Sequence, residues 1–174
     1  MIRTLTPESE KPESPEQLKI REIREWLQVC RSMTQAEADQ QDKIKRWREA
    51  AVGITPSLSG MPGGTGAKDK VGAAVARIAE EEEKLAQRKE VLRLRKDEAY
   101  RRILWPLGND PHYTSRMTEF LEGYYLDCAS TDSRKNFQLV TYEQLAARKG
   151  VDVSTVKKSM QRAICILAQY WDSL

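Results

Sequence analysis

Lys157, Lys158, Gln161 and Arg162 are spaced so that all four fall on one side of a helix, with Ser154 and Thr155 one turn earlier. These residue types donate hydrogen bonds, and three of them are cations. Lysine donates to the major-groove acceptors of guanine, and hydroxyls or glutamine can serve several bases. Lys149 and Arg162 suit phosphate oxygens, contacts that set affinity and its salt dependence without specifying sequence. Thr141, Tyr142 and Arg148 stand where a preceding helix would cross the sugar–phosphate backbone. A lysine on a helix is otherwise a solvated charge, so the argument for a common ligand is clustering opposite the apolar Val156 and Ala163. The candidate DNA-binding residues are therefore Thr141, Tyr142, Arg148, Lys149, Ser154, Thr155, Lys157, Lys158, Gln161 and Arg162. The partner they imply is double-stranded DNA.

The stretch from Thr141 to Leu167, TYEQLAARKGVDVSTVKKSMQRAICIL, would position that set as a helix-turn-helix. Leu145 and Ala146 belong to a first short helix, which Thr141 is placed to cap. Gly150 falls where a helix ending in a left-handed cap needs glycine. Val151 would plug the turn into the core, and Asp152 is an N-cap for the second helix. Val156, Ala163, Ile164 and Leu167 then recur at helical spacing and give that helix a buried side. An apolar back, a basic front and a tight glycine turn suit entry into a major groove.

Other chemistry finds little purchase in the chain. The segment GMPGGTGAKD invites a nucleotide-loop reading, but Ala67 separates Gly66 from Lys68 and Asp69 takes the place of the required hydroxyl. Cys30, Cys128 and Cys165 lack metal-ligand spacing, and the single histidine, His112, has no cysteine or carboxylate cluster near it. Reduced thiols are expected, with Cys165 as a small core residue. No paired carboxylates or Cys-His pair suggest a catalytic site. We therefore expect neither an enzyme nor a bound cofactor or metal.

At Leu145-Ala146, Gly150, Val156, Ala163 and Leu167 the segment resembles the last DNA-binding region of sigma-70-type sigma factors. That resemblance covers about the last fifth of the chain. It implies that Ser154 to Lys158 occupy the positions with which such factors read promoter DNA, although none is the arginine or glutamate common there. The stretch from Trp47 to Leu85 is similar to the N-terminal half of a family of small phage and prophage proteins. These are related in style to the ArpU and RinA late-gene regulators, in which a helical hairpin precedes a sigma-like helix-turn-helix. The resemblance implies a phage-encoded transcriptional regulator acting with host RNA polymerase. Two other classes remain open. A small terminase-like packaging protein also joins a helix-turn-helix to a coiled oligomerisation segment, and a helical adaptor would dock protein instead of DNA.

The chain has 174 residues, 32% of them charged and 7% aromatic, with a net charge of +3. Its mean hydropathy is −0.66. That composition suits long solvated helices, and the length suits one medium domain or a small domain with an extension. Residues 1–14 are polar and punctuated by proline, and are expected to be a disordered tail. Ser14 and Pro15 then read as a helix start. Leu18, Ile23, Trp26, Leu27, Cys30 and Met33 keep helical spacing, followed by a polar middle from Thr34 to Asp42 and by Ile44 and Trp47. Residues 53–70 form a glycine- and proline-rich loop. A second long helix, ending before Pro106, carries Val71, Val75, Ile78, Leu85, Leu92 and Ile103 near a heptad seam, with Glu80 to Glu83 on a solvated side.

The predicted fold is all-α. A long antiparallel helical hairpin, coiled-coil-like, spans 15–105, and a helix-turn-helix DNA-binding domain spans 112–174. The hairpin's apolar stripes are narrow, so it must pair with itself, with a second copy as a homodimer, or with a partner. Within the second region, residues from Met117 to Leu126 form a bracing helix on which Tyr170 and Trp171 pack. Arg134 and Lys135 lie in a polar loop and are further phosphate candidates. No signal peptide or membrane-length apolar run is present, so the expected location is the cytoplasm of the bacterial host.

Overall fold

A computed structural model describes residues 13–53, 70–129 and 137–173. The expected N-terminal tail, most of the loop expected at 53–70 with its GMPGGTGAKD segment, and Arg134 and Lys135 lie outside the described residues. Among the described residues the regular structure is entirely helical, as expected. It comprises α1 (Pro15–Gly53), α2 (Lys70–Leu104), α3 (Ser115–Leu121), α4 (Tyr142–Lys149) and α5 (Val153–Tyr170). No described helix is long and apolar enough to cross a membrane.

The start of α1 is fixed by a capping box. The Gln17 amide donates to Ser14 Oγ at 3.2 Å and the Ser14 amide to Gln17 Oε1 at 3.0 Å. The polar middle does not break this helix. Thr34 Oγ1 donates back to the Cys30 carbonyl at 2.9 Å, and Gln35 and Gln41 bond Asp39 and Glu37 within the helix.

Helices α1 and α2 pack antiparallel, and their contact differs from a continuous apolar seam. Leu92 and Ile103 are buried, but Ile78 and Leu85 are only half-buried and Val75 is exposed. Polar residues of α1 also enter this contact. Gln40, only 6% exposed, donates through Nε2 to the Glu81 carbonyl at 3.0 Å and accepts from Arg88 Nη1 at 2.6 Å. Lys89 pairs with Glu37, Lys43 with Glu81, and Arg48 with Glu82. The glutamate run is therefore only partly solvated, because Glu81 and Glu82 turn toward α1 and hold it.

The apolar core lies at the opposite end of this pair. Ile23, Leu27 and Cys30 of α1 and Ala99 and Ile103 of α2 join one buried cluster with Phe120, Leu121, Leu126, Leu145, Val156, Ala163, Ile164 and Leu167. Leu18 departs from expectation and stays 44% exposed, one turn short of this cluster. Trp171 closes the core from the end of α5, meeting Trp26 edge-on at 5.3 Å with the Arg102 guanidinium 4.6 Å from its own ring. Tyr170 lies against Trp105 and donates to Asp110 Oδ2 at 3.1 Å. These two aromatics meet α1, α2 and the 105–110 turn, and Trp171 shares one buried cluster with Met117, Phe120 and Leu121 of α3.

The bracing element also departs from a single α-helix. Helix α3 is capped by Thr114, whose side chain accepts from the Met117 amide at 3.4 Å. It then widens into a π-helical turn over Glu122–Leu126. A Cβ on Gly123 in that turn would sit 3.0 Å from Leu145 Cδ1, so the missing side chain lets α4 approach closely.

Candidate nucleic-acid interface

Local sequence builds α4 and α5 much as their spacing predicts. Thr141 and Gln144 form a reciprocal capping box, with the Gln144 amide donating to Thr141 Oγ1 at 3.3 Å. Gly150 ends α4 at φ 63°, in the left-handed region. Its amide donates to the Ala147 carbonyl at 3.3 Å and the Val151 amide to the Ala146 carbonyl at 3.0 Å, the paired bonds of a Schellman turn. Val151 packs against the core. Asp152 holds the N-cap position of α5 in extended conformation, but its side chain makes no capping bond. Its carbonyl alone accepts the first helical amides, from Thr155 and Val156.

Helix α5 has two clear sides. Val156, Met160, Ala163, Ile164 and Leu167 are buried, whereas Ser154, Lys157, Lys158, Gln161, Arg162 and Gln169 are exposed. The helix contains no acidic residue. Ser154, Lys158, Arg162 and Arg148 of α4 make no side-chain bond among the described residues. Gln161 Nε2 lies 3.5 Å from Cys165 Sγ, and Cys165 is half-exposed at the edge of this surface instead of in the core. Thr155 is half-buried.

Besides Thr141 and Gln161, three more of the candidate residues are engaged within the protein. Lys149 pairs with Glu119 of α3 at 2.5 Å, and that hydrogen bond holds the Glu119 carboxyl below the usual carboxylate range. Tyr142, at the start of α4, is half-buried and stacks on Tyr124 with 4.3 Å between ring centroids and 12° between planes. Burial, then the contact with Tyr124, pushes its hydroxyl above the ordinary tyrosine range. Lys157 Nζ lies 5.4 Å from the centroid of the same Tyr142 ring.

No protein family matches this chain, and no curated protein or solved structure is similar to it.

The stack continues inward to a residue that sequence reasoning passed over. Arg31 of α1, 8% exposed, lies 4.1 Å above the Tyr124 ring. Its guanidinium donates to the Tyr124 carbonyl at 2.5 Å and to the Val140 carbonyl at 2.7 Å. The order Arg31, Tyr124, Tyr142, Lys157 thus links α1 through two rings to the exposed side of α5. Arg31 ties down the backbone on both sides of the segment that leads into α4. A signal was present in the sequence: Arg31 follows Leu27 by one turn and so falls on the apolar side of α1, where a cation needs a partner.

Beside Lys157 lies a groove of about 340 Å³ lined by Arg24, Tyr125, Tyr142, Lys157, Met160, Gln161 and Ile164. Its floor is apolar and its rim carries two cations and an amide. No carboxylate lines it.

Proposed function

We propose that this protein is a sequence-specific DNA-binding transcriptional regulator in which α4, the Gly150 turn and α5 act as a helix-turn-helix. The observation that carries the reading is the acid-free exposed side of α5, anchored by a buried apolar side and preceded by a Schellman turn. In this reading α5 lies in the major groove. Ser154, Lys158 and Gln161 reach base edges, while Arg148 and Arg162 meet phosphates on either side. Lys149 joins them when it exchanges Glu119 for a phosphate, an inexpensive exchange for an exposed pair.

The antiparallel α1–α2 pair serves as a helical hairpin whose base holds α5 in place through Arg31, Tyr124 and Tyr142. The sigma-like spacing of Leu145, Gly150, Val156, Ala163 and Leu167 supports promoter DNA as the target and host RNA polymerase as the partner, in the manner of a phage-encoded regulator. Fluorescence anisotropy on labelled duplexes tests the reading. The Lys158→Ala/Arg162→Ala variant should fold as the wild type does and bind duplex at least tenfold more weakly, a loss of about 1.4 kcal/mol or more over the two contacts. Equal binding by the two proteins would remove α5 from the interface.

A further inference from the structure

The groove beside Lys157 brings a residue of α1 to the edge of the α5 surface. Arg24 is exposed on α1, and its side chain has no hydrogen-bond or ion-pair partner among the described residues. The acid next to it, Glu25, is within 3.8 Å of Arg21. Across the groove the Lys157 ammonium lies 5.4 Å from the centroid of the Tyr142 ring, and both residues line the groove. Gln161 adds an amide one turn along α5. Two cations and an amide line a concavity whose floor is Tyr125, Met160 and Ile164; no carboxylate lines it, and the exposed Glu143 of α4 feels the Lys157 charge from outside the groove. Field lines focus in such a notch, and an anion bridging the two cations would relieve their mutual repulsion.

We propose that Arg24 and Lys157 form a phosphate-binding notch that takes a DNA backbone phosphate flanking the groove read by α5, making the first helix part of the DNA interface. The proposal rests on the reading of α5 as the DNA-reading helix and extends it to a residue more than a hundred positions away in sequence. Geometry favours a backbone phosphate. The notch sits to the side of α5 and not at its tip, where a groove wall would pass. Arginine supplies a forked donor for the phosphate oxygens, and Lys157 supplies a point charge.

The test is the salt dependence of duplex binding by full-length wild type, Arg24→Ala, Arg24→Lys and Arg24→Glu. Each phosphate contact contributes about 0.9 to the slope of log affinity against log salt. Arg24→Ala should lower the slope by about one. Its affinity should then fall about 3.5-fold less than that of the wild type between 50 and 200 mM salt. The loss should be the same on cognate and random duplexes, Arg24→Lys should retain most of the slope, and thermal unfolding should be unchanged. Arg24→Glu should weaken binding further than Arg24→Ala does.

An unchanged slope in Arg24→Ala, with Lys158→Ala/Arg162→Ala still impaired, overturns the notch and leaves the α5 reading intact. A wild type that binds no duplex overturns both. Stabilisation of the wild type by inorganic phosphate, lost in Arg24→Ala while the duplex slope is kept, would assign the notch to a free anion and also overturn the proposal.

Discussion

Replacing Arg31 with methionine removes one side chain that holds three things at once. The guanidinium satisfies the carbonyls of Tyr124 and Val140 and covers the Tyr124 ring. Methionine fills much of the same volume but donates nothing. An unsatisfied buried acceptor costs about 1–3 kcal/mol, and a partly desolvated cation–π contact contributes about 0.5–2 kcal/mol. Water reaches the half-exposed Tyr124 more easily than the fully buried Val140, so we take the lower part of these ranges, about 3 kcal/mol in all. For a chain of this length that corresponds to a Tm lower by about 6–12 °C. Thermal unfolding followed by far-UV circular dichroism measures it. Arg31→Lys keeps the charge but cannot fork to two carbonyls, so it should recover about half of the loss. Because the stack leads to Tyr142 and Lys157, duplex binding by Arg31→Met should weaken even below its Tm. A Tm within about 1 °C of wild type, the level of an ordinary surface substitution, would refute the claim that Arg31 pins the entry to α4.

Other expectations follow from single positions. Gly150→Ala should destabilise by about 1–2 kcal/mol, read as a lower urea midpoint at unchanged slope. The effect is purely one of backbone conformation, since an added Cβ meets nothing within 4 Å and φ is 63°. Gly150→Asn should recover part of the loss, because asparagine tolerates the left-handed region. Glu119→Gln should leave Tm almost unchanged, as exposed pairs contribute little, but should tighten duplex binding and steepen its salt slope by freeing Lys149. The same pair has a pH signature. Lys149 lowers the folded-state pKa of Glu119, so the pair's contribution is present above the ordinary glutamate value of 4.5 and is lost as pH falls through the depressed folded value. Glu119→Gln should therefore lose no more of its stability than wild type does as pH falls through the acid range, and the two acid limbs should differ as little as the two Tm values do, which urea titrations at a series of acid pH values check.

The parts of this fold that were legible in the sequence are those held by short-range contacts. Thr141 with Gln144, Ser14 with Gln17, and the left-handed Gly150 all act within one helical turn, so residue type and spacing suffice to place them. The apolar back of α5 is likewise a local periodicity. What stayed hidden depends on distant chain. Gln40 and its bonds to Glu81 and Arg88 insert a buried polar contact into a predicted heptad seam, and no single-helix pattern reveals what the facing helix presents. The contacts of Trp171 with Trp26 and Arg102 were hidden for the same reason. The π-helical widening at Glu122 and the close approach of Leu145 to Gly123 are long-range features that periodicity does not report. Arg31 and Arg24 matter through neighbours that follow them by about a hundred residues, so the candidate interface read from the sequence did not reach α1, although Arg24 of that helix lines the groove beside Lys157.

The central claim is that the exposed side of α5 reads a DNA sequence. Selection of bound fragments from a random duplex pool, followed by sequencing, tests it most directly, with wild type run beside Lys157→Glu/Lys158→Glu at physiological salt. The account predicts one recovered motif for the wild type and its loss in the variant, with thermal unfolding of the two proteins alike. Enrichment of no motif by the wild type, or of the same motif by both proteins, would contradict it.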